Sequence, residues 1–328
     1  MAKIRWGLLS TANINRAVIP AMRASARGEL AAVASRSQAS ADAYAAKWEI
    51  PQAFGSYEDM LASDQIDAVY IGLPNHLHAE WSIKAMQAGK HVLCEKPLAL
   101  SVEEVDRMAA ASRETGCYLA EAFMYRHHPQ TRLVRELVQR GDLGEICVVT
   151  GAFNFTLHGQ DNVRLVPEYG GGCLWDVGVY PLSFAQMVYG GPPERVFGEQ
   201  WLGASGIDET FAGQMAYPGG GVAQITSSFR QPFHTDAEIL GTEGRLSLTR
   251  PFNRLDDGRQ MVFYPHEGEP HEIPVPEEYL YQGEVEDLHS AVLDGTPPLI
   301  PLAQSRDHVR TVAALYESAR RWQPVELK

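Results

Sequence analysis

Lys96, Asp176 and Tyr180 are the residues of this sequence whose side chains could together move a proton. A tyrosine hydroxyl can act as a general base or a general acid, but its ordinary pKa of about 10 means that a nearby cation is needed to favour phenolate. An ammonium within about 4 to 6 Å supplies that charge and polarises a substrate oxygen, which makes Lys96 the candidate. Singly, a lysine is more often a surface residue and a tyrosine a core aromatic, so the chemistry depends on the pair.

Asp176 precedes Tyr180 by four residues, so on a helix both side chains would project from one face. The carboxylate could there orient substrate hydroxyl groups or Lys96. Pro181 follows Tyr180 and has no backbone N–H to donate, which predicts that the regular helix either begins near Tyr180 or kinks there. The three glycines at 170–172 predict a turn whose backbone can pass close to a bound cofactor.

The elements that must position these residues follow from the spacing of apolar residues. Through about residue 122, short apolar runs alternate with amphipathic segments, which predicts strand–helix units in a parallel, doubly wound sheet. After a predicted helix over about residues 129–141, closely spaced β-rich runs predict a mainly antiparallel sheet, and helices over about 284–294 and 303–321 close the chain. We therefore predict an α/β protein with a nucleotide-binding domain at 1–122 and an α+β domain, for substrate binding and oligomerisation, at 123–328.

The first predicted strand leads into a turn of small residues and then a helix, where a doubly wound sheet would bind a pyrophosphate. Small side chains let backbone N–H groups and the helix N-terminus approach phosphates closely. The cofactor candidates here are Gly7, Ser10, Thr11, Ala12, Asn13 and Ile14. Ser10 and Ala12 replace two expected glycines, so a tight turn without a ligand is the alternative for this segment.

The second predicted strand ends in Ser35-Arg36-Ser37. A fold of this type that prefers NAD usually has an acidic residue there to accept from the ribose 2′-hydroxyl. An arginine flanked by hydroxyls suits a 2′-phosphate instead, since its guanidinium offers a planar fork of donors. The segment favours NADP over NAD, with NAD possible and with an ordinary exposed loop arginine as the alternative.

Several motifs, taken in order, resemble one family. They are Leu73-Pro74-Asn75-His76-Leu77-His78, Glu95-Lys96-Pro97, EAFMYRHHPQ at 121–130, and GGGCLWDVGVY at 170–180. The chain resembles the Gfo/Idh/MocA oxidoreductases over essentially its whole length. The last two motifs look most like the branch with D-xylose 1-dehydrogenase, dihydrodiol dehydrogenase and glucose–fructose oxidoreductase, in which a tyrosine matches Tyr180; inositol dehydrogenases and 1,5-anhydrofructose reductases have histidine there.

The resemblance implies a Rossmann domain and a second domain whose open sheet commonly forms a dimer interface, and hence a homodimer or homotetramer. It implies that Lys96, Tyr180 and Asp176 are catalytic and contact the substrate. It adds cofactor candidates, with Asn75 and His78 near the nicotinamide ribose and Arg164 near the nicotinamide; these are Leu73, Asn75, His78, Glu95, Lys96 and Arg164. Further substrate candidates are Tyr125, Arg126, His158 and His234, and His76 has either a structural or a site role.

The composition excludes other classes of protein. With 41 acidic and 28 basic side chains the formal charge is -13, the wrong sign for binding a nucleic-acid backbone without a basic patch. The four cysteines form no CxxC pair, no ligand set for a metal is evident, and reduced thiols fit a cytoplasmic protein. No secretion signal or long apolar segment is evident, so we expect no membrane association.

The expected activity is hydride transfer between NADP and a sugar or polyol, with an aldose 1-dehydrogenase acting on D-xylose or D-glucose as the best interpretation. The reverse reaction, by a keto-sugar or dicarbonyl reductase, is an alternative that the sequence does not separate from it. A non-catalytic NADP-binding regulator is an alternative of another class, although such a protein need not keep a lysine–tyrosine pair. Lys96 can supply the positive charge that a zinc ion supplies in other alcohol dehydrogenases, so no metal is expected.

Overall fold

The structure is a computed structural model that describes residues 3–159, 161–252 and 259–327. The chain forms two compact units, the first comprising Met1–Met124 with Tyr279–Arg306, and the second comprising Tyr125–Glu278 with Asp307–Lys328. Sequence patterns placed all of 123–328 in one domain, whereas residues 279–306 return to the first unit.

The helices alternate with the strands as the periodicity predicts. In chain order they are α1 (Asn15–Ala24), α2 (Gln38–Trp48), α3 (Tyr57–Ala62), α4 (His78–Gln87), α5 (Val102–Thr115), α6 (Met124–His127), α7 (Pro129–Arg140), α8 (Val179–Tyr189), α9 (Gln282–Asp294) and α10 (Leu302–Arg321). The predicted helix at 129–141 and the two closing helices are confirmed. Serine hydroxyls cap the N-termini of α2, α3 and α5 by accepting backbone N–H groups.

The sheet of the first unit is parallel throughout. Its strands are β1 (Ile4–Leu9), β2 (Gly28–Ala34), β3 (Gln52–Phe54), β4 (Ala68–Ile71), β5 (His91–Glu95) and β6 (Leu119–Ala122). They lie in the order β3-β2-β1-β4-β5-β6. The strand order reverses between β1 and β4, and in such sheets the ligand crevice lies at the carboxyl ends of the strands at this point. The predicted Rossmann-type sheet is confirmed.

Helix α9 belongs to this first unit because its side chains bond to β1 and to the residues around α1. The indole Nε1 of Trp6, a fully buried β1 residue, donates to Nε2 of His289 at 2.9 Å. Tyr279, just before α9, donates its hydroxyl to the carbonyl of Ala17 at 2.7 Å. No local pattern in the sequence predicts such bonds, since the partners are more than 260 residues apart.

The second unit is built on a mixed, mainly antiparallel sheet, as predicted. Its strands are β7 (Ile146–Thr156), β8 (Arg195–Leu202), β9 (Asp208–Ala216), β10 (Val222–Ser228), β11 (Arg230–Gly241), β12 (Gly244–Thr249), β13 (Met261–Pro265), β14 (His271–Glu272) and β15 (Val325–Glu326). Their order is β14-β13-β12-β11-β7-β10-β9-β8-β15, and β7 and β10 pair in parallel. Helix α8 packs on β7 and β10 and is almost wholly buried. Within the described ranges, no helix combines the length and apolar character that crossing a membrane requires.

Candidate active site

The turn between β1 and α1 is tied to the end of β4. Ser10 donates its hydroxyl to the carbonyl of Gly72 at 3.1 Å, and its own carbonyl accepts from Nδ2 of Asn15 at 2.8 Å. A Cβ on Gly72 would lie 3.1 Å from Cγ2 of Ile14, so the two turns approach closely. Ser10 has φ +126°, a backbone conformation that glycine adopts most easily, so this serine stands where a glycine is usual.

The N-terminal end of α1 fits a pyrophosphate. Thr11, Ala12 and Ile14 are half-buried, Asn13 is exposed, and the first turn of α1 contains no acidic residue to oppose an anion. Gly7, by contrast, lies inside β1 between Ala32 and Val69, and a Cβ there would lie 2.9 Å from the sulfur of Met60. The structure therefore makes Gly7 a packing residue of the strand rather than part of the turn.

The three residues after β2, Ser35, Arg36 and Ser37, lie in different environments. Ser35 is buried, and Ser37 caps α2 by accepting the Ser40 N–H at 3.3 Å, so that hydroxyl has a structural function. Arg36 is exposed and forms no ion pair with a carboxylate of the described residues. Burial raises the pKa of the neighbouring Tyr57, and the charge of Arg36 opposes that shift. Arg36 thus offers an exposed positive charge at the carboxyl end of β2, where a 2′-phosphate would be recognised.

The family resemblance implied that His78 lies near the nicotinamide ribose, but the structure buries this residue between two loops. Its ring is fully buried, with Nε2 at 2.8 Å from the carbonyl oxygen of Leu73 and Nδ1 at 2.8 Å from that of Pro97. Burial lowers the pKa of His78, while the two carbonyl contacts oppose this shift. The ring therefore ties two loops together instead of presenting a nitrogen to a ribose. Asn75 and His76, in the 3-10 turn at Asn75–Leu77, are half-buried, while Leu73 is buried.

Lys96 lies in a turn held at several points. It is half-buried, directly follows β5, and is joined to Pro97 by a cis peptide bond. The preceding residue, Glu95, accepts a hydrogen bond from the Tyr70 hydroxyl. On the other side, the Leu98 N–H donates to Oε1 of the buried Glu121 at 2.9 Å. The backbone on both sides of Lys96 is therefore well defined.

A buried acid on α9 lies behind this turn and was not predicted. Glu284 is 1% exposed, and neither carboxyl oxygen has a hydrogen-bond partner among the described residues. Burial raises the pKa of Glu284 well above its ordinary value, and the negative charge of Glu95 acts in the same direction. Burial and the nearby Glu95 carboxylate therefore both disfavour the charged form of Glu284.

In the second unit, Asp176 and Tyr180 lie on either side of a change in helix type. Residues Leu174–Gly178 form a π-helical turn, and α8 begins at Val179. Pro181 thus falls in the first turn of α8, directly after the π-turn, and has no N–H to donate to the carbonyls of that turn. The prediction that the helix begins near Tyr180 is confirmed, but Asp176 lies on a π-turn rather than on the same α-helix. Single π-turns often occur at functional sites.

Asp176 and Arg164 form an ion pair. Nε of Arg164 lies 2.6 Å from Oδ2 of Asp176, and the two side chains are 42% and 14% exposed. A charge-assisted hydrogen bond of this length fixes the orientation of the carboxylate. Sequence patterns did not predict this ion pair between Arg164 and Asp176.

Tyr180 belongs to an aromatic cluster and is 5% exposed. Its ring centroid lies 5.2 Å from that of Phe153, 5.8 Å from that of Tyr125 and 6.1 Å from that of Phe252. Tyr125 is fully buried, and its hydroxyl is 2.6 Å from Oγ of Ser183. Tyr125 therefore packs beside Tyr180 instead of offering its hydroxyl to a substrate.

The remaining substrate candidates lie in different environments. Arg126 is 2% exposed, which makes it a core residue rather than a surface donor. His158, beyond the end of β7, and His234, on β11, are both exposed. His234 lies opposite Asn154 of β7, and its Nε2 is 3.4 Å from Oδ1 of Asp236. His158 and His234 are thus the two of these candidates whose rings are accessible.

A buried carboxylate that the sequence did not single out holds the start of the π-turn. Asp208 accepts the Leu174 N–H at 2.8 Å and the Tyr316 hydroxyl at 2.7 Å, and it lies 3.1 Å from the Cys173 sulfur. Burial raises the pKa of Asp208, and these donors oppose that shift. Its partners are 34 and 108 residues away, so no short motif could have indicated the network.

Replacing Gly172 by alanine should destabilise this region. Gly172 has φ +120°, and a Cβ there would lie 2.0 Å from Oδ1 of Asp208. The strained backbone and the displaced carboxylate together should lower the free energy of unfolding by about 2 to 4 kcal/mol, measured by denaturant titration. Gly190→Ala is the control, since Gly190 has φ +77° with open space around its Cβ, and we expect a loss of only about 1 kcal/mol there. Equal losses would show that Asp208 is not involved.

The described part of the chain contains no group of three or more His, Cys, Asp or Glu side chains arranged to hold a metal ion.

Comparison with known proteins gives the same fold and related chemistry. A family model described as an oxidoreductase family with an NAD-binding Rossmann fold matches residues 4–123, and a GFO/IDH/MocA C-terminal domain model matches residues 131–247. The chain is 40% identical to D-xylose 1-dehydrogenase (NADP(+)) 2 of Haloferax volcanii, over 98% of this chain and 99% of the relative.

Two solved structures are similar over nearly the whole chain. KijD10, a 3-ketoreductase from Actinomadura kijaniata in complex with NADP and TDP-benzene, is 30% identical with a TM-score of 0.90, over 96% of this chain and 98% of that chain. The aldose-aldose oxidoreductase from Caulobacter crescentus, complexed with glycerol, has a TM-score of 0.93 over 99% of this chain and 100% of that chain. Its identity is 24%, so this second likeness shows the fold alone.

Proposed function

Because this chain belongs to the Gfo/Idh/MocA oxidoreductase family, we propose that it oxidises a free aldose of the D-xylose or D-glucose type at C1 to the lactone, with NADP as its preferred cofactor. Family membership makes the protein an oxidoreductase with an NAD(P)-binding Rossmann domain. The observation that carries the substrate class is its similarity, over 98% of its length, to a relative named as an NADP-dependent D-xylose 1-dehydrogenase.

In the proposed reaction each residue has one task. NADP, when bound, supplies the acceptor for the hydride that leaves C1. Tyr180, as phenolate, accepts the proton of the C1 hydroxyl, and the Lys96 ammonium favours phenolate and stabilises negative charge developing on the substrate oxygen. Asp176, held by Arg164, accepts a hydrogen bond from a neighbouring sugar hydroxyl. That Lys96 and Tyr180 act on the same substrate is part of the proposal.

The proposed cofactor preference depends on Arg36. Arg36→Ala should raise the KM for NADP by about 10- to 100-fold, because charge-assisted hydrogen bonds to the 2′-phosphate contribute about 1.5 to 3 kcal/mol. The KM for NAD should change by less than about threefold, since NAD has only a hydroxyl at that position. The control is Lys47→Ala, an exposed cation near the other end of α2. Equal effects on both cofactors would contradict the assignment.

A substrate panel in both directions tests the function itself. The pure protein with NADP and a series of aldoses should generate reduced nicotinamide, measured by absorbance, with pentoses or hexoses as the best substrates. Reduction of keto-sugars with NADPH is the second candidate, which the 30% identity to a 3-ketoreductase favours. Faster turnover in that direction would select it. Tight NADPH binding without turnover in either direction would instead support a non-catalytic NADP-binding regulator.

We also propose a homodimer or homotetramer that assembles through the open face of the second-unit sheet. On β9 and β10, exposed residues alternate with buried ones, and the exposed pairs Gln214 with Gln224 and Ala212 with Thr226 lie side by side. The side chains at these four positions are small or polar and none is charged, which suits contact with the same face of a second copy of the chain. Light scattering should therefore give at least twice the 36.2 kDa chain mass, and a monomeric mass would contradict the proposal.

A further inference from the structure

Two buried ionisable residues contact the backbone on one side of Lys96 and take no part in the proposed proton transfer. His78, at the start of α4, contacts the Pro97 carbonyl at 2.8 Å, and Glu121, on β6, accepts the Leu98 N–H at 2.9 Å. Their side chains come from different elements and reach successive residues of one turn. We call residues 95–98 the Lys96 turn.

The same His78 ring also holds the loop that carries Asn75. Its Nε2 lies 2.8 Å from the Leu73 carbonyl, so one fully buried ring spans the loops after β4 and β5. The neutral imidazole donates its single N–H to one of the two carbonyls and contacts the other, so the buried ring is held between these two loops. On the N-terminal side of Lys96, the Tyr70 hydroxyl donates to Glu95 in addition.

A lysine needs such support more than most catalytic groups. Its ammonium stands on a flexible four-carbon chain, so the place that the nitrogen can reach depends on where the backbone holds the Cα. A misplacement of about 1 Å at a reacting group can cost about a hundredfold in rate. Both contacts lie within two residues of Lys96, where a backbone shift would be transmitted to it directly.

We infer that His78 and Glu121 are positioning residues that hold the Lys96 turn in register with the loop carrying Asn75, and so set the location of the Lys96 ammonium. This inference rests on the proposed function for its effect on rate. The placement of the turn itself is independent of which substrate is used.

The experiment uses paired variants of the full-length protein. His78→Leu and Glu121→Leu remove the contacts. Glu121→Gln instead keeps an amide oxygen that can accept the Leu98 N–H, and His78→Gln keeps an N–H donor. The leucine variants should lower kcat by about 10- to 100-fold, with a change of less than about threefold in the dissociation constant for NADPH. Glu121→Gln should recover most of the rate. Ser82→Ala, a fully buried change one turn along α4, is the matched control.

A second measurement does not require turnover. The rate at which an amine-reactive reagent labels Lys96, measured by peptide mass spectrometry against Lys84 as internal reference, should change at least threefold in the leucine variants. It should stay near the wild-type value in Ser82→Ala. If no sugar is oxidised by the wild type, the proposed function fails while the labelling still tests the placement of Lys96.

Two results would overturn the inference. One is Lys96 labelling that is unchanged in both leucine variants. The other is a rate loss that follows the loss of thermal stability equally in all variants, including Glu121→Gln, because a purely structural role predicts that pattern. If a leucine variant does not fold, His78→Ala and Glu121→Ala, which also remove the contacts, are compared with Ser82→Ala by the same two measurements.

Discussion

Lys96→Met should lower kcat for sugar oxidation by about a thousandfold or more. The substitution keeps the length and apolar stem of the side chain but removes the charge that, in the proposed mechanism, favours phenolate and stabilises the developing charge on the substrate oxygen. Removing one such electrostatic group commonly costs about 10²- to 10³-fold, and loss of an effective general base costs about 10²- to 10⁴-fold. Steady-state kinetics with NADP and the best aldose of the panel would measure this loss in kcat.

The matched control is Lys84→Met on α4. Lys84 forms an exposed i,i+4 ion pair with Glu80 and lies over the Trp81 ring, so its loss should change stability by about 0.5 kcal/mol and the rate hardly at all. NADPH affinity of the Lys96 variant should fall by less than about tenfold, because the turn before α1 is the proposed site of the phosphates. A kcat within tenfold of wild type would remove Lys96 from the mechanism.

Tyr180→Phe should lower kcat by about 10²- to 10⁴-fold while leaving KM for the sugar nearly unchanged, which is the pattern for a group that acts in the transition state. Phenylalanine keeps the ring that packs against Phe153, Tyr125 and Phe252. The fold should therefore be maintained, and the loss should come from the missing hydroxyl. Kinetics and thermal unfolding on the same preparation would separate the two effects.

Tyr189→Phe tests the same chemical change on the same helix. Tyr189, the last residue of α8, donates its hydroxyl to the Val222 carbonyl at 2.9 Å and stacks on Tyr217. Its loss should cost about 1 kcal/mol of stability and leave kcat within twofold. If Tyr180→Phe retained full activity, the proton acceptor would have to be another group, and Asp176 would be the first to test.

Sequence reasoning succeeded where the signal is local. Alternation of apolar runs and amphipathic segments predicted the parallel sheet of the first unit, because buried parallel strands and their covering helices each have their own period. Pro181 after Tyr180 predicted that the regular helix either begins near Tyr180 or kinks there, and α8 begins at Val179. Both predictions depend on residues that are neighbours along the chain.

Sequence patterns did not predict contacts between side chains that lie far apart along the chain. Tyr125 and His78 are residue types that can bind a ligand, but in the structure the Tyr125 hydroxyl contacts Ser183, 58 residues away, and the His78 ring contacts Pro97, 19 residues away. Asp208 and Glu284 were not predicted, because an isolated acidic residue in a sequence gives no sign that it will be buried. Their importance arises only from the groups around them.

By itself, the amino-acid sequence determined the fold class, the family and the residue types available for chemistry, because these depend on periodicity and short motifs. Only the tertiary structure decided that residues 279–306 join the first unit, that Arg164 binds Asp176, and that buried side chains hold the Lys96 turn. The physical reason is that burial and hydrogen-bond pairing depend on the three-dimensional surroundings of a residue, in which groups that are not neighbours along the chain affect one another's charge and orientation.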